Sequence, residues 1–525
     1  MTGIEYKVCI LTAGIGTRMH NTSKYVNKAI LPVNFKGVIS YIIEKFPKNI
    51  EIVIPIRHLK HTVQNYVALA HPDRKFTFVE VDKYIGPGYS LLKCKDKLQC
   101  PFIVSACDTI VTEDIPQPDC NWLGISPIED NKTKNYCTVS VNNNFVSHIN
   151  DKKQTNDEYA FVGLSGVKDY DVFFSTLETN TELIENEIQL SNAFKYLIEK
   201  KLSTKKFTWY DTGTLENYKK VNKILSGSTN FDFSKENEFI YFINDRVIKF
   251  FADDEIVKKR VRRAEILNPL TPKILEVKEN FYVYEKVPGE TLYNILNDSI
   301  FRDFLKWAKI NLWIRKDLNE EDKIQFYNKC RNFYLDKTLE RCNMFYGKTN
   351  IVDTSNNING IHIPPLKEML EKINWNDLSI GVPSNFHGDL QFDNILSIED
   401  TTKKFILLDW RQDFSGLDEY GDLYYDLAKL YGGLILSYQL VKQNMFFFES
   451  NDSNIYFDFF NKNSLIESKE FFEEFIIKNG YDMNKVKILT ALIFLNMAPL
   501  HNAPFDSMLY YVGKYMLNKF QNGGK

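Results

Sequence analysis

Residues 7–19 read KVCILTAGIGTRM, an apolar β-like run that passes directly into a turn containing two glycines. Glycines at the carboxyl end of a strand let the backbone turn tightly and bring N–H groups against phosphate oxygens. Similar apolar runs recur at 51–56, 76–81 and 102–106, with helical segments between them. This alternation predicts an α/β, Rossmann-like domain over residues 1–225, with a mainly parallel sheet and helices on both faces.

A polar, turn-rich segment at 226–233 (SGSTNFDF) interrupts this pattern. After it, β-like runs at 239–243, 246–251 and 280–285 precede long helical segments rich in aromatic residues. A small β-rich lobe followed by a larger helical lobe is the order of an α+β fold. We therefore predict a second domain over 226–525, with a small lobe to about residue 290 and a helical lobe from about residue 291.

Bulk properties exclude several classes of function. The chain has 525 residues, 44% of them apolar and 25% charged, which is typical of a globular protein with more than one core. A formal charge of −3 gives no electrostatic reason to expect nucleic acid or an anionic membrane as partner. Without a long apolar run or a signal-peptide pattern, and with eight scattered cysteines, we expect no membrane insertion and a cytoplasmic location. A basic stretch at 258–263, flanked by acidic residues, is interpreted as a solvated helix face.

Charged residues extend the glycine turn into a candidate catalytic site. Arg18 follows the glycines and Lys28 comes ten residues later, while Asp108 follows an apolar strand, at the edge where open α/β sheets bind ligands. AGIGTRM with Lys28, SACD at 105–108 and WYDTGT at 209–214 resemble the motifs of the sugar-phosphate nucleotidyltransferases, a family that includes phosphocholine cytidylyltransferases.

This resemblance implies a nucleotide-binding loop and a magnesium site. Asp108 and Asp211 would together hold Mg²⁺, which prefers one or two carboxylates plus phosphate oxygens. Arg18 and Lys28 would neutralise charge while the phosphate of an acceptor attacks a nucleoside triphosphate and pyrophosphate leaves. The residues that the resemblance places against the nucleotide are Ala13, Gly14, Gly16, Thr17 and Gly88.

Two positions depart from the family pattern. Asn27 stands where the family has a proline before the lysine, which bears on loop stiffness more than on charge, and Cys107 stands where a glycine is usual. Segment 86–90, which contains Gly88, resembles the family's base-contacting loop, and segments 161–163 and 187–188 resemble acceptor-contacting segments. A structural turn or a helix start explains each of the three equally well. Asp108 or Asp211 alone would be interpreted as a strand-end or turn residue. Together with the glycine loop, Lys28 and the spacing of both motifs, they favour a catalytic site.

A second constellation lies in the C-terminal half. Residues 386–396 read FHGDLQFDNIL, and LLDW at 407–410 ends a strand with an aspartate. Phosphoryl transfer from ATP needs a base near the acceptor hydroxyl and metal-binding groups near the phosphates. The set resembles the choline kinase and aminoglycoside phosphotransferase family. The resemblance implies a protein-kinase-like fold in which Asp389 is the catalytic base and Asn394 and Asp409 are Mg²⁺ ligands.

The small lobe carries further candidates from the same resemblance. Lys249 looks like the strand lysine that pairs with ATP phosphates, and Glu265 like its ion-pair partner, with Glu255 as a competitor. Residues 227–230 resemble a phosphate-covering loop, although a plain linker explains them as well. Residues 285–290 resemble the hinge that would meet the adenine.

The acceptor of the second domain is less defined by the sequence. Asp422 and Asp426 are interpreted as structural residues, one starting a helix and one tethering a loop. Arg411 stands where the family commonly has an acidic residue, which works against a cationic substrate and favours a neutral or anionic one. Aromatic faces could bind a quaternary ammonium. The aromatic residues that we predict to be mostly core are Trp307, Trp313, Trp410, Tyr424, Tyr425 and Tyr431.

Together the two resemblances predict a bifunctional enzyme. A kinase would phosphorylate a small alcohol with ATP, and a nucleotidyltransferase would join the product to a nucleotide from an NTP, with CTP favoured, for a surface polysaccharide such as a capsule or for a lipid. Mg²⁺ is expected at both sites. Two alternatives remain open: a kinase with a noncatalytic, nucleotide-sensing N-terminal domain, and a noncatalytic assembly protein with two relic sites.

Overall fold

In the computed structural model of the protein, the described residues are 5–128, 130–226, 237–400 and 404–523. They divide into two compact units. The first unit comprises the described residues within 1–228, 235–253 and 276–283, and the second comprises those within 254–275 and 284–525. The expected phosphate-covering loop at 227–230 lies outside the described residues.

The described residues up to 226 form a mixed α/β fold. Its strands are Lys7–Leu11 (β1), Pro32–Val33 (β2), Lys36–Gly37 (β3), Ile52–Ile56 (β4), Phe76–Glu80 (β5), Phe102–Ala106 (β6), Thr109–Val111 (β7), Trp122–Pro127 (β8), Cys137–Asn142 (β9), Phe145–Asp151 (β10), Tyr159–Val167 (β11), Leu183–Ile184 (β12), Glu187–Ile188 (β13), Ser203–Lys206 (β14) and Trp209–Asp211 (β15). Its helices are Val38–Ile43 (α1), Lys60–Ala70 (α2), Pro87–Leu92 (α3), Tyr170–Thr179 (α4), Ser191–Glu199 (α5) and Leu215–Ser226 (α6), with 3₁₀ turns at Thr17–Ser23, Lys28–Ile30, Lys95–Lys97 and Asp130–Asn135.

The main sheet of this unit is mixed. Its strand order is β5-β4-β1-β6-β11-β8-β14-β10-β9. Strands β5, β4, β1 and β6 run parallel, as predicted. The expectation of a mainly parallel sheet is wrong for the other half, where β11 runs antiparallel to β6 and β8, and β9 pairs with β10 as a hairpin. A hairpin requires antiparallel strands, whereas the parallel half is joined through helices.

Helices cover both faces of the sheet, as predicted. Val8 and Ile10 pack into one apolar cluster with residues of α1 and α2. Their neighbours Cys9 and Leu11 point the other way and pack with residues of α4 and α5. Leu11 and Ala106 lie opposite each other at the ends of β1 and β6. The glycine turn after β1 and the aspartate after β6 therefore start from the same sheet edge.

Residues 237–291 contain the strands and helix Glu238–Ile243 (β16), Arg246–Phe251 (β17), Asp254–Leu267 (α7), Ile274–Lys278 (β18), Phe281–Glu285 (β19) and Glu290–Thr291 (β20). A four-stranded sheet has the order β16-β17-β19-β18, of which β18 was not predicted. Strand β16 packs with the first unit: the Tyr241 ring lies 4.7 Å from that of Tyr66, and Phe242 N donates to Phe35 O over 2.8 Å. The compact units thus do not follow the 225/226 division, which stays a prediction.

Helices dominate the rest of the chain. They are Leu292–Ile295 (α8), Asp298–Asn311 (α9), Glu320–Arg331 (α10), Lys337–Thr349 (α11), Leu366–Glu371 (α12), Trp375–Leu378 (α13), Leu423–Ile435 (α14), Tyr438–Lys442 (α15), Asn463–Lys478 (α16), Met483–Met497 (α17) and Phe505–Gln521 (α18). The strands are Asn356–Ile358 (β21), Ile361–Ile363 (β22), Pro383–Ser384 (β23), Ile395–Ser397 (β24), Phe405–Leu407 (β25), Gly421–Asp422 (β26), Phe446–Asn451 (β27) and Asn454–Phe459 (β28).

The order of a small sheet followed by helices agrees with the α+β prediction. The kinase-like identity of this part stays a prediction. A sheet of order β22-β21-β28-β27 was not predicted. Helix α14 is buried along almost its whole length and packs on α17. Within the described ranges, we find no helix with both the length and the hydropathy of a membrane span.

Candidate functional site

The first candidate site lies where β1, β6 and β15 end. Lys28 Nζ lies 2.6 Å from Asp108 Oδ2, and each side chain is only about one-sixth exposed, at 17% and 16%. Asp211 reaches the same place because β15 pairs with β7, with Asp211 opposite Thr109. Thr212 N also donates to Asp108 O over 2.9 Å. Three residues predicted from three separate motifs thus come together.

Asp211 is held by three donors. It accepts hydrogen bonds from Gly213 N at 2.8 Å, Asn217 Nδ2 at 2.6 Å and the Tyr136 hydroxyl at 3.0 Å. Burial, together with the charge of Asp108, nevertheless raises the pKa of Asp211 above its ordinary value. Asn217 and Tyr136 were not predicted as site residues, because neither stands in a recognisable motif.

In the neighbouring ion pair of Lys28 and Asp108, the charge of the partner outweighs the effect of burial on each pKa. Burial alone would lower the pKa of Lys28, but the Asp108 carboxylate outweighs it and the pKa is raised. Burial would raise the pKa of Asp108, but Lys28, and to a smaller extent Arg18, lower it. Both members of the pair are therefore charged at neutral pH. Asp211 contributes a second carboxylate, and no lysine of the described residues lies within hydrogen-bond distance of it.

The two carboxylates fit a magnesium site. A Cβ placed on Gly213 would lie 3.0 Å from both Asp108 Oδ2 and Asp211 Oδ1, so both converge on a residue without a side chain. A divalent cation would compensate the charge that raises the pKa of Asp211. No cluster of three or more His, Cys, Asp or Glu suited to a metal is found among the described residues. Phosphate oxygens or water would complete the coordination of Mg²⁺.

A cavity of about 250 Å³ opens beside these carboxylates. Its lining includes Ala13, Gly14, Arg18, Lys28, Asp108 and Asp211, and from the predicted acceptor segments Phe161, Val162, Gly163 and Glu187. Gly16, Thr17 and Gly88 are not in this lining. Gly16 has a φ of 75° and serves the turn, whereas a Cβ on Gly88 would lie 2.9 Å from Gln189 O. Thr17 is exposed. The roles of all these residues stay predictions.

Asn27, which departs from the family proline, fixes the loop by hydrogen bonds. It is 1% exposed, and its Nδ2 donates to Thr12 O at 2.9 Å and to His58 O at 3.0 Å. Its Oδ1 accepts from Ala29 N at 3.0 Å, capping the 3₁₀ turn that carries Lys28. The side chain thus ties the turn after β1 to the segment that positions the lysine.

We expect Asn27→Ala to destabilise the first unit by about 2–3 kcal/mol, because one buried and one partly buried carbonyl lose their donor. The thermal unfolding midpoint and pyrophosphate release would both be measured. Asn49→Ala, at an exposed turn with an ordinary backbone conformation, is the control. An unchanged midpoint in Asn27→Ala would show that water replaces the lost donors and that Asn27 does not fix the loop.

The second candidate site is the loop after β23, in the second unit. His387 Nε2 lies 2.8 Å from Leu408 O, and Asp389 N donates to His387 Nδ1 over 3.2 Å, which sets a neutral ring with its proton on Nε2. Asn394 Nδ2 donates to Asp389 O at 2.9 Å. The loop is thereby tied to the strand that leads to Asp409.

The Asp389 carboxylate faces a buried lysine of α14. Lys429 Nζ lies 2.9 Å from Asp389 Oδ1, and Gln391 Nε2 donates to the same oxygen at 3.0 Å. Burial would raise the pKa of Asp389, but Lys429 outweighs it and the pKa is lowered. The predicted base is therefore ionised and can accept a proton. Lys429 and Gln391 both contact Oδ1, which leaves Oδ2 as the oxygen to accept it.

Asp409 has a left-handed backbone, with φ 55°, and its Oδ1 lies 2.7 Å from Arg260 Nη1. The side-chain nitrogen of Asn394 donates to Asp389 O, so the side-chain oxygen of Asn394 is the atom suited to a metal. An aspartate and an amide oxygen are donors that Mg²⁺ accepts. Lys249 is buried on β17 in the first unit, and Glu265 is exposed on α7 in the second. Their pairing stays a prediction.

The interpretation of 258–263 as a solvated face is wrong for two residues. Arg260 is 12% exposed and pairs with Asp409. Arg263 is 0% exposed, and its guanidinium donates to Asp418 O over 2.7 Å and to Phe386 O. The signal was the spacing: Arg260 and Arg263 share the helix face of the buried Val257, Ala264 and Leu267.

The structural roles expected of two aspartates are confirmed. Asp422 Oδ1 accepts from Tyr424 N at 3.1 Å and caps α14. Asp426 accepts from His387 N and Gly388 N, each at 2.7 Å, and so tethers the loop. The six aromatic side chains expected to be mostly core are all buried.

The neutral state of His387 makes the stability of the second unit depend on pH. Burial lowers the pKa of His387 from 6.5 to about 4. Between these values the unfolded chain binds a proton that the folded protein does not, so this contribution is complete above pH 6.5 and is lost as the pH falls towards 4.

We therefore expect the stability advantage of the protein over His387→Gln to shrink by about 2 kcal/mol between pH 7 and pH 5, in denaturant unfolding. Asp426, whose burial raises its pKa to about 6, acts in the opposite direction but in both proteins, so it largely cancels in the comparison. A difference that stays constant over this interval would contradict a buried neutral imidazole.

Comparison with known proteins gives partial matches. No protein-family model matches the chain. Bifunctional protein GlmU of Methanococcus maripaludis is 24% identical over 193 residues, 36% of this chain and 46% of that protein. Its counterpart in Methanocaldococcus jannaschii is 26% identical over 245 residues, 46% of this chain and 59% of that protein. The chain thus spans about half the length of the curated relatives that it matches.

Among solved structures, CTP:phosphocholine cytidylyltransferase from Streptococcus pneumoniae is 22% identical, with a TM-score of 0.36, and covers 42% of this chain and 100% of that chain. The curated matches support a nucleotidyltransferase-like α/β fold for the N-terminal part. They cover less than half of the chain.

Proposed function

We propose that the chain is a bifunctional transferase. Its first unit moves a nucleotidyl group from an NTP to a phosphomonoester, and its second unit phosphorylates a small alcohol with ATP. The observation that carries the first activity is the convergence of Lys28, Asp108 and Asp211 beside a glycine turn, at the carboxyl edge of the sheet. In open α/β folds this edge binds ligands.

In the first reaction, an oxygen of the acceptor phosphate attacks the α-phosphorus in line. The bond from that phosphorus to the bridging oxygen breaks, and pyrophosphate leaves. Lys28 and Arg18 line the cavity as cations and neutralise the anions that must approach each other. Mg²⁺ held by Asp108 and Asp211 would supply further neutralisation of phosphate charge when bound.

In the second reaction, the hydroxyl oxygen of the alcohol attacks the γ-phosphorus of ATP, its proton passes to Asp389, and ADP leaves. Lys429 keeps Asp389 ionised, and Asp426 and Arg263 fix the backbone of its loop. Asn394 and Asp409 would hold Mg²⁺ for phosphate neutralisation. The bonds around His387 give Asp389 a defined position without a role for His387 in the chemistry.

The two reactions form a sequence, since a kinase makes the phosphomonoester that a nucleotidyltransferase consumes. We favour CTP as the nucleotide, because enzymes of choline-type pathways use it, and a surface polysaccharide such as a capsule, or a lipid, as the destination. We also propose a cytoplasmic location, where ATP and CTP are available.

The test is an assay of the full chain with Mg²⁺. The four NTPs are combined with a panel of phosphomonoesters, and pyrophosphate release is measured; ATP plus a panel of alcohols is then assayed for ADP. We expect CTP to give the fastest pyrophosphate release, and a mixture of alcohol, ATP and CTP to give a nucleotide-linked product. ADP formation that survives unchanged in Asp108→Ala, with no pyrophosphate release from any NTP, would favour a kinase with a nucleotide sensor. No Mg²⁺-dependent nucleotide turnover at all would favour the noncatalytic assembly protein.

A further inference from the structure

Four basic side chains lie near one another, and one of them, Lys429, pairs with the Asp389 carboxylate. Besides Lys429, they are Lys337 and Arg341 of α11, one helical turn apart, and Arg411. Two aromatic rings lie against three of them. Lys337 Nζ lies 4.1 Å from the Phe333 ring centre and 5.7 Å from that of Tyr425. Arg411 Cζ lies 5.0 Å from the Phe333 ring, and Lys429 Nζ lies 6.0 Å from the Tyr425 ring. We call Lys337, Arg341, Arg411 and Lys429 the basic cluster.

The basic cluster carries more positive charge than its surroundings neutralise. Burial, and then Arg411, Lys429 and Arg341, lower the pKa of Lys337 well below its usual range, against a smaller opposing effect of Asp389. Asp389 itself is paired with Lys429. In the part of the chain that the structure describes, no carboxylate lies within ion-pair distance of Lys337 or Arg411.

Such an arrangement is costly in an empty protein. Lys337, Arg341 and Arg411 are each partly buried, and partly buried cations are ordinarily paired, because desolvation of an unpaired charge costs free energy. The aromatic faces of Phe333 and Tyr425 offset part of this cost, but they do not neutralise charge. Uncompensated like charges beside a reacting group are typical of sites that receive a ligand of opposite charge.

Resting on the proposed phosphotransfer by the second unit, we propose that the alcohol it phosphorylates carries an anionic oxygen group, a carboxylate or a phosphate ester. Lys337, Arg341 and Arg411 bind that group, while the hydroxyl of the same molecule meets Asp389. A cationic alcohol would be repelled from the basic cluster. The γ-phosphate of ATP is a second possible source of anionic oxygens, and the experiment separates the two.

The experiment compares small alcohols of similar size and different charge in the full chain with ATP and Mg²⁺: glycerol, glycerate, glycerol 3-phosphate and choline. We expect kcat/KM for ADP formation to be at least ~10-fold higher with one of the anionic alcohols than with glycerol or choline. Preference for glycerol or choline would overturn the proposal.

Lys337→Met tests the assignment to the acceptor. We expect it to raise KM for the anionic alcohol ~10-fold or more, since a charge-assisted contact is lost, and to leave KM for ATP within ~2-fold. A rise in KM for ATP alone would assign the basic cluster to the γ-phosphate and overturn the proposal. Lys306→Met, at an exposed lysine of α9, is the matched control and should change neither value.

Thermal unfolding separates this role from a structural one. Removing one cation from a crowded positive cluster should raise the unfolding midpoint or leave it unchanged, whereas loss of a structural contact would lower it. Arg341→Met should likewise raise KM for the anionic alcohol. It keeps the proposal testable if Lys337→Met folds poorly.

Failure of the proposed phosphotransfer would be recognised separately. If no alcohol gives ADP formation that Asp389→Asn abolishes, the proposal of kinase activity is wrong. Titration calorimetry with inorganic phosphate then tests whether the basic cluster binds an anion. Phosphate binding that Lys337→Met weakens ~10-fold would support an anion site at the basic cluster. Absent binding, or equal binding by the variant, would overturn it.

Discussion

Asp389→Asn should lower ATP-dependent phosphorylation of the alcohol by about 10²–10⁴-fold, the usual contribution of a general base. Asparagine has the shape of aspartate but cannot take the proton of the attacking hydroxyl. The ion pair with Lys429 would be lost as well, leaving a buried ammonium unpaired. The measurement is kcat for ADP formation at saturating ATP.

The matched control is Asp393→Asn, four residues further along the same loop. Asp393 pairs with Lys442 over 3.2 Å and does not contact Asp389 in any bond of the described residues, so its loss should change kcat little. Pyrophosphate release by the first unit should be unaffected by either substitution. Equal kcat values for Asp389→Asn and the unsubstituted protein would remove Asp389 from the chemistry.

The pH profile gives an independent check on the same residue. Lys429 holds the pKa of Asp389 below its ordinary value. The base is therefore ionised throughout the neutral range, and the fall of kcat/KM on the acidic side should lie below the ordinary range of an aspartate. An acidic limb near neutral pH would indicate a different base.

The local signals of the fold were readable from the sequence. An apolar run followed by glycines predicted β1 and its turn, and the runs at 51–56, 76–81 and 102–106 became β4, β5 and β6 almost residue for residue. Strand direction was readable only in part: apolar runs separated by helices predicted the parallel half, whereas no local pattern indicated the antiparallel half. The antiparallel half of the sheet follows from long-range pairing of β11 with β6 and β8.

Long-range packing also explains the other differences. Strand β16 belongs with the first unit because Tyr241 meets Tyr66, a contact across 175 positions that no local pattern contains. Arg263 was taken for a solvated residue because its bonding partners, Phe386 O and Asp418 O, lie more than 120 positions away. The residues of the basic cluster likewise come from distant parts of the sequence, and only Arg411 stands beside a motif.

The candidate sites differ in how much of them the motifs predicted. In the first unit, the motif residues Lys28 and Asp108 pair and Asp211 points to the same Gly213, but Asn217 and Tyr136, which hold Asp211, stand outside any motif. Motif reading finds groups that touch substrate, because few residue types suit that chemistry. It misses the groups that position them, since many residue types can donate a hydrogen bond.

Asp211→Asn should lower pyrophosphate release by about 10²–10³-fold, the usual cost of removing one group that stabilises developing charge. Because burial and the charge of Asp108 raise the pKa of Asp211, its neutralisation relieves repulsion in the absence of ligand. The relieved repulsion is offset by the amide nitrogen, which cannot accept the hydrogen bonds that one carboxylate oxygen accepts. We therefore take the Mg²⁺ concentration needed for half-maximal activity as the readout and expect it to increase. Asp114→Asn, at an exposed residue near Asp108, is the control.

A double substitution shows whether the two carboxylates act together. If Asp108 and Asp211 hold one cation, either asparagine alone removes most of its effect, and the double variant should be little slower than the slower single variant. Independent roles would instead multiply the two losses. Asp108→Asn should also destabilise the first unit, because Lys28 loses its partner at 2.6 Å. Multiplied losses, or an Asp211→Asn protein with unchanged Mg²⁺ dependence, would show that the carboxylates do not share a metal.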